Sequence, residues 1–305
     1  MKKNIPIFPS FEKLSLDHKE LVQSIINKFP TSDFNFTGLF TWDIGEVVKI
    51  SLLNDNLVFR SSDYLTHEVF YSFIGDNKVD LTIKTLTEYA EQNGELSKLK
   101  LVPESVIPHI KDKNQVLFSE DRDNYDYVYN VQDLIELSGG ENQKKRQHLN
   151  RFSQNHGAKA SHKELDLNDL DSIKDIEKLM STWQKVRDKD VKEVSDEFIA
   201  IKKALDHHQT LGIRAFGIYH DKDLIGFNLF EVLPGKMVIS HFHKADTNYR
   251  GIYEHMTHNF AKHLVKMDIQ SINVEQDLGI PGLRRAKESY RPHTFIKKYT
   301  VERIK

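Results

Sequence analysis

Hydrophobic and polar positions follow two periods along this chain, and each change of period marks a new element. Leu14, Leu21 and Ile25 recur at helical spacing within Phe11–Phe29, which predicts an amphipathic helix ended by Pro30. The aromatic-rich stretch Phe34–Trp42 follows. Glu46–Arg60 reads as two strands joined at Asn54-Asp55-Asn56, a hairpin turn, and Glu68–Ile74 as another strand. Val79–Gln92 is a helix closing at Asn93-Gly94. Lys98–Val102 is then a strand, followed by Pro103 and a short helix over Glu104–Ile110.

Tyr125–Val131 is an aromatic strand, Gln132–Leu137 a short helix ending in Gly139-Gly140, and Gly140–His156 a basic helix. Ala158–Leu165 reads as a strand, Asp169–Arg187 and Asp196–His208 as helices. Ile213–Tyr219, Leu224–Val232 and Met237–His243 form an antiparallel meander with turns at Asp221–Asp223 and Pro234-Gly235. The helix Gly251–Met267, the strand Ser271–Val274 and the helix Pro281–Tyr290 then repeat the order seen from Val79 to Ile110, about 170 residues later. Element order rather than sequence is duplicated. An α/β chain of two halves, 1–124 and 125–305, is therefore expected.

With 305 residues, 39% apolar and 29% charged, the chain can bury a core as one or two domains. No stretch approaches the roughly 20 apolar residues that cross a bilayer, and MKKNIPIFPSF lacks the apolar segment of a secretory signal. A cytoplasmic protein is expected. The absence of cysteine excludes disulfides, thiolate zinc sites and a cysteine nucleophile. Net charge is −2, so no global field draws nucleic acid or anionic lipid. Charge is uneven, however: Glu141–Lys163 balances to +5 and Pro281–Lys305 to +6. Such stretches fit a local anionic ligand, or solvated faces balanced by nearby acids.

Candidate chemistry gathers where the strand Ser271–Val274 runs into Glu275 and Asp277, then into Gly279-Ile280-Pro281-Gly282 and a helix carrying Arg284, Arg285 and Lys287. This corner can present N–H groups and cations to an anion, or be an ordinary β-turn-α connection. The basic helix offers Lys144, Arg146, His148 and Arg151 as a phosphate-binding face, with Arg146 and Arg151 equally able to pair with Asp166, Asp169 or Asp171. His207-His208, His241/His243 and His255/His258 lack a HExxH spacing, so no metal site is expected. No Ser-His-Asp pattern, Walker A loop or Rossmann fingerprint occurs.

Three segments, YDYVYNVQDLIELSGGENQKKRQHLNRF (Tyr125–Phe152), NYRGIYEH (Asn248–His255) and EQDLGIPGLRRAKESYRP (Glu275–Pro292), resemble the domain at the C-terminus of phosphatidylglycerol lysyltransferases; FTGLFTW (Phe36–Trp42) matches more weakly. It is similar to free-standing, uncharacterised bacterial members of that family. The resemblance implies two tandem acetyltransferase-like (GNAT-like) halves, each a mixed, mostly antiparallel sheet flanked by helices, related to the Fem aminoacyl transferases. The first half is then degenerate and supportive. In such a fold the donor lies where two parallel strands part, here Met237–His243 and Ser271–Val274. Glu275 and Asp277 border that gap with His241 or His243, which share a sheet face if side chains alternate regularly.

Acyl or aminoacyl transfer to a hydroxyl or amine follows, with Glu275 as the first choice of base and His243 as the alternative. Tyr249 and Arg250 stand where acetyltransferases carry a glycine-rich phosphate turn, but only Gly251 is present and Ile252-Tyr253-Glu254 replaces the small residues. That departure counts against ordinary acetyl-coenzyme A binding and is compatible with the aminoacyl-tRNA donor of the family's aminoacyl-transfer relatives, so aminoacyl-tRNA and acyl-coenzyme A both stand as donors. Lys287, Tyr290 and Lys297 line the other wall, and Arg284 is a further substrate-binding candidate. An anionic small molecule or tRNA is the expected partner, with peripheral membrane contact through a basic face. The competing reading is a non-catalytic module binding an anion; Glu275 locked in a bidentate pair with Arg284 would favour it.

Overall fold

The computed structural model describes residues 4–29, 31–63, 66–186 and 191–304, and of residues 183–186 and 191–194 the backbone only. Its strands in chain order are β1 (Glu12–Lys13), β2 (Lys49–Leu53), β3 (Asn56–Ser62), β4 (Val69–Ile74), β5 (Lys98–Pro103), β6 (Val116–Glu120), β7 (Asp126–Asn130) and β8 (Ala160–Leu165). There follow β9 (Ile213–His220), β10 (Asp223–Leu233), β11 (Met237–Ala245), β12 (Ser271–Asn273), β13 (Thr294–Ile296) and β14 (Lys298–Arg303). The helices are α1 (Lys19–Ile26), α2 (Phe36–Trp42), α3 (Val79–Gln92), α4 (Val131–Glu136) and α5 (Gln143–His156), then α6 (Leu170–Val186), α7 (Val191–Asp206), α8 (His208–Leu211), α9 (Ile252–Lys266) and α10 (Pro281–Glu288).

Two mixed seven-stranded sheets result, ordered β1-β2-β3-β4-β5-β14-β6 and β13-β7-β12-β11-β10-β9-β8. Each has an antiparallel run leading to one parallel step, β4 beside β5 in the first sheet and β11 beside β12 in the second. Parallel neighbours need a crossover connection, usually a helix, and α3 and α9 supply it. In α3, Val79, Ile83, Leu86 and Ala90 fall on one stripe and are buried against Val58, Tyr71, Phe73, Leu99 and Val301. Full burial of Ile83 and Leu86 contributes roughly 1.5–3 kcal/mol each. In α9, Ile252, Met256, Phe260 and Leu264 recur every four residues and are buried, with the Phe260 ring 5.5 Å from Phe216 and 5.0 Å from Phe230.

The chain divides into two compact units. One takes in the chain up to Asp126 together with Gln276–Arg284 and the stretch from Phe295 onward; the other is Tyr127–Glu275 with Arg285–Thr294. The C-terminal strand β14 thus lies between β5 and β6, so a linear division at 124/125 does not describe the return of the chain to its first sheet. Within this first unit Lys298 on β14 is fully buried and forms ion pairs with Asp126 and Asp33. The Ser32 amide and hydroxyl donate to Asp126 at 2.8 and 2.6 Å.

The hairpin at residues 54–56, the helix Val79–Gln92 and the meander β9-β10-β11 lie where the pattern predicts them. The expected helix Phe11–Phe29 is shorter. Glu12 and Lys13 pair with β2, Leu16–His18 form one 3-10 turn, and α1 begins at Lys19. The buried His18 ring accepts from the Ser15 amide at 3.1 Å and sets that break. The buried stripe is Leu14, Val22 and Ile26, while Leu21 is 37% exposed. Pro30 and Arg187, expected at helix ends, lie outside the described residues.

Candidate active site

β11 and β12 stay in register only over Met237↔Ser271, Val238↔Ile272 and Ile239↔Asn273, and then part. On the other side of β11 the pairing with β10 jumps from Phe230↔Ser240 to Leu229↔Phe242, so His241 is the extra residue of a β-bulge. The bulge inverts the alternation beyond it. Asn228 Nδ2 donates to Ser240 Oγ at 2.8 Å and lies 2.8 Å from His243 Nδ1, placing Asn228, Ser240 and His243 on one face. His241 lies on the other, with Glu231. The two histidines therefore do not share a face, contrary to regular alternation.

His241 Nδ1 donates to Glu275 Oε1 at 3.0 Å across the opening, and His241 Nε2 lies 3.5 Å from Glu231 Oε2. The imidazole is completely enclosed, which alone would favour its neutral form. Contacts with Glu231 and Glu275 outweigh that burial and raise its pKa to about 9, so it is a cation at neutral pH. Glu275 is 21% exposed at its side chain, and its Oε2 has no hydrogen-bond partner among the described residues. Glu275 adopts φ +60°, a left-handed conformation costly for a residue with a Cβ. Its amide donates to Asn273 Oδ1 at 2.8 Å, and its carbonyl accepts from the Tyr127 amide at 3.2 Å.

His243, the alternative base, stacks on Tyr253 with ring centroids 5.7 Å apart. Burial, with a smaller contribution from Lys244, lowers its pKa to about 4, which leaves it neutral but a weak proton acceptor. Asp277 belongs to the first unit and is fully buried. Arg284 grips it with Nε–Oδ2 at 2.9 Å and Nη2–Oδ1 at 2.7 Å, and also reaches Asp123. The fork of Arg284 thus closes on Asp277 and not on Glu275. Asp277 also accepts from the Gly279 amide at 2.8 Å, which makes it a turn-forming carboxylate in place of the catalytic one expected.

Several expected ligand cations are committed elsewhere. Arg146 donates to the carbonyls of Leu137 and Gly139, closing the C-terminus of α4. Lys297, in the first unit, pairs with Glu120 at 2.9 Å. His148 Nδ1 lies 3.0 Å from Glu254 on α9. Lys287 Nζ donates to the carbonyls of Val274 at 2.6 Å and Glu275 at 3.1 Å. Tyr290 lies under Lys145 Nζ, 4.3 Å from the ring centroid, and burial raises its pKa. Lys145 is itself buried, donates to Ser289 Oγ at 2.8 Å, and has a lowered pKa caused by burial and opposed by Glu254. Tyr249 packs against the rings of His156 and His220 at 5.1 and 5.2 Å. Lys144, Arg151 and Arg250 are exposed.

Gly251 opens α9 at φ +87°, and a Cβ there would stand 2.3 Å from the His148 carbonyl oxygen. Its place is therefore dictated by the close approach of α5 to α9. Glu231 was not foreseen as a site residue, although a lone acid inside the apolar run LIGFNLFEVL is the signal that marks it.

Two sheets, each with an antiparallel run, a crossover helix and a parallel step, the second parting beyond Ile239↔Asn273, define a tandem acetyltransferase-like α/β protein. A tandem GNAT protein from the clavulanic acid biosynthesis pathway is similar across 96% of this chain and 98% of its own, with TM-score 0.52 and 8% identity. A protein of unknown function from Bacteroides thetaiotaomicron VPI-5482 is more similar, with TM-score 0.80, 24% identity, and 97% and 99% of the two chains covered. An uncharacterised protein of Mycoplasmoides gallisepticum is 28% identical over 182 residues, 58% of this chain and 56% of that one, so the match spans little more than half of that relative. The family model described as phosphatidylglycerol lysyltransferase, C-terminal, matches residues 26–302, and the chain belongs to that family. Among the described residues no helix is long and apolar enough to cross a membrane.

Proposed function

We propose that the second unit carries out acyl or aminoacyl transfer to a hydroxyl or amine, with Glu275 as the general base and the first unit in support. The observation carrying this reading is the Glu275–His241 contact across the parted ends of β11 and β12. One carboxylate oxygen is held by a charged imidazole, and the second can accept the proton of an incoming nucleophile. As the nucleophile bonds to the carbonyl carbon, its proton passes to Glu275 Oε2. The ester or thioester bond then breaks, and the leaving oxygen or sulfur takes that proton from Glu275, directly or through water, which restores the carboxylate. His241 offsets the charge of the carboxylate pair, and Glu231 holds the other edge of that ring. An aminoacyl-tRNA is the donor we favour, with acyl-coenzyme A second, since the turn at Tyr249-Arg250-Gly251 carries a single glycine.

The test incubates the wild-type protein with pooled charged tRNAs and, separately, with acyl-coenzyme A thioesters, and follows loss of the ester. Turnover with one pool that falls roughly 10²–10⁴-fold in Glu275→Gln supports the assignment. No turnover with either pool leaves the second reading, a non-catalytic module for an anionic ligand. That reading draws on Lys144 and Arg151, which lie exposed on α5 without a partner among the described residues.

A further inference from the structure

Three cations follow one another on or near α10, and only Lys287 is spent on the backbone of the site. Its ammonium bridges two consecutive carbonyls at the end of β12, Val274 at 2.6 Å and Glu275 at 3.1 Å, and sits 5.7 Å from the centroid of the Tyr127 ring. Its own carbonyl accepts from the Tyr129 hydroxyl at 2.8 Å, which anchors this part of the helix to β7. The residue it grips is the one in the left-handed conformation. The Glu275 carbonyl keeps the Tyr127 amide as a second donor, while the Val274 carbonyl is satisfied by Lys287, and a carbonyl left without a donor away from water costs about 1–3 kcal/mol. A lysine with three donors on one nitrogen can satisfy two such oxygens together.

From this geometry we infer that Lys287 is a positioning residue: by bridging the Val274 and Glu275 carbonyls, it holds the strand end in the turn that aims the Glu275 carboxylate at His241. The expectation that Lys287 contacts a ligand is replaced by a role exerted through Glu275. The grip is one of three on the same residue. The Asn273 side chain holds its amide, and the Tyr127 amide shares its carbonyl. Lys287 differs from both in reaching from outside the sheet. Removing it frees the Val274 carbonyl and lets the peptide relax toward the extended region, while the pairs of β7 and β12 over Ser271–Asn273 remain to hold the strand.

This inference rests on the transferase reading for its purpose, and its test is independent of turnover. The titration of the His241 ring, followed by nitrogen-correlated NMR in wild-type protein and in Lys287→Met, reports whether Glu275 still reaches Nδ1. Wild type should titrate near pH 9. In Lys287→Met the midpoint should fall by about one pH unit or more as the Glu275 contact is lost, and Glu275→Gln should reproduce the fall. Lys287→Arg, which keeps donors near the two carbonyls, should restore part of it. An unchanged midpoint in a folded Lys287→Met protein overturns the proposal. Should that variant not fold, the wild-type ammonium decides. A Lys287 NH3⁺ resonance protected from solvent exchange supports the bridge, and rapid exchange overturns it. Loss of the His241 shift with no turnover in any assay separates a correct positioning role from a wrong transferase assignment.

Discussion

Replacing His241 with glutamine removes an imidazole held between two carboxylates in the second unit, and the effect can be worked from its titration. An ordinary histidine titrates near 6.5, and His241 near 9 in the folded protein. The folded state binds this proton more tightly than the unfolded one. The resulting stability is fully present below pH 6.5 and is lost as pH rises from there to 9. A difference of about 2.5 units at 1.4 kcal/mol each amounts to about 3 kcal/mol. The ring is completely buried, so solvent screening does not reduce that figure much. His243 acts in the opposite sense. Its folded pKa of about 4 contributes stability that is present above pH 6.5 and lost as pH falls toward 4, outside the window assigned to His241. Urea unfolding followed by circular dichroism at pH 6, 7.5 and 9 is the assay. Wild type should weaken across that range, and His241→Gln should start lower and change far less. A wild-type stability that is flat between pH 6.5 and 9, or a variant that retains the whole decline, refutes the reasoning.

Lys298→Met leaves Asp126 and Asp33 buried without their cation, and urea unfolding should show a loss of about 3–5 kcal/mol. Arg284→Leu removes the bidentate partner of the buried Asp277 carboxylate and leaves it Arg122 at 3.3 Å, so it should cost about 3 kcal/mol by the same measurement; Glu275→Gln should lower turnover and, through the lost support of the His241 charge, cost at least about 1.4 kcal/mol near neutral pH. Gly251→Ala combines a left-handed backbone with a Cβ 2.3 Å from the His148 carbonyl, so a calorimetric melting temperature several degrees below wild type is expected.

The duplicated frame was readable because α3 and α9 each carry an apolar residue at nearly every fourth position, and each is followed by a short strand and a proline-led helix. Local periodicity suffices for such elements. The bulge at His241 was not readable, since it is a property of how β11 pairs with β10 and leaves no mark in the composition of either strand. The cations present the same difficulty. Arg146 and Lys287 look like ligands of an anion in one dimension, and their partners turn out to be carbonyl oxygens that every residue possesses. β14, KYTVER, was missed because it buries only Lys298 and Val301 and so carries almost no hydrophobic signal. Glu275 was legible by its place at the end of a strand, while the group that orients it was not.

The placement of β14 bears on how this protein can be made. On the ribosome, every strand of the first sheet except one emerges before Tyr127, yet among the described residues β6 pairs with β14 alone. An emerging chain therefore waits through synthesis of the whole second sheet with the flank of β5 open. An expression product ending near residue 124 would keep that edge bare, and it should be recovered as aggregate in place of a soluble half.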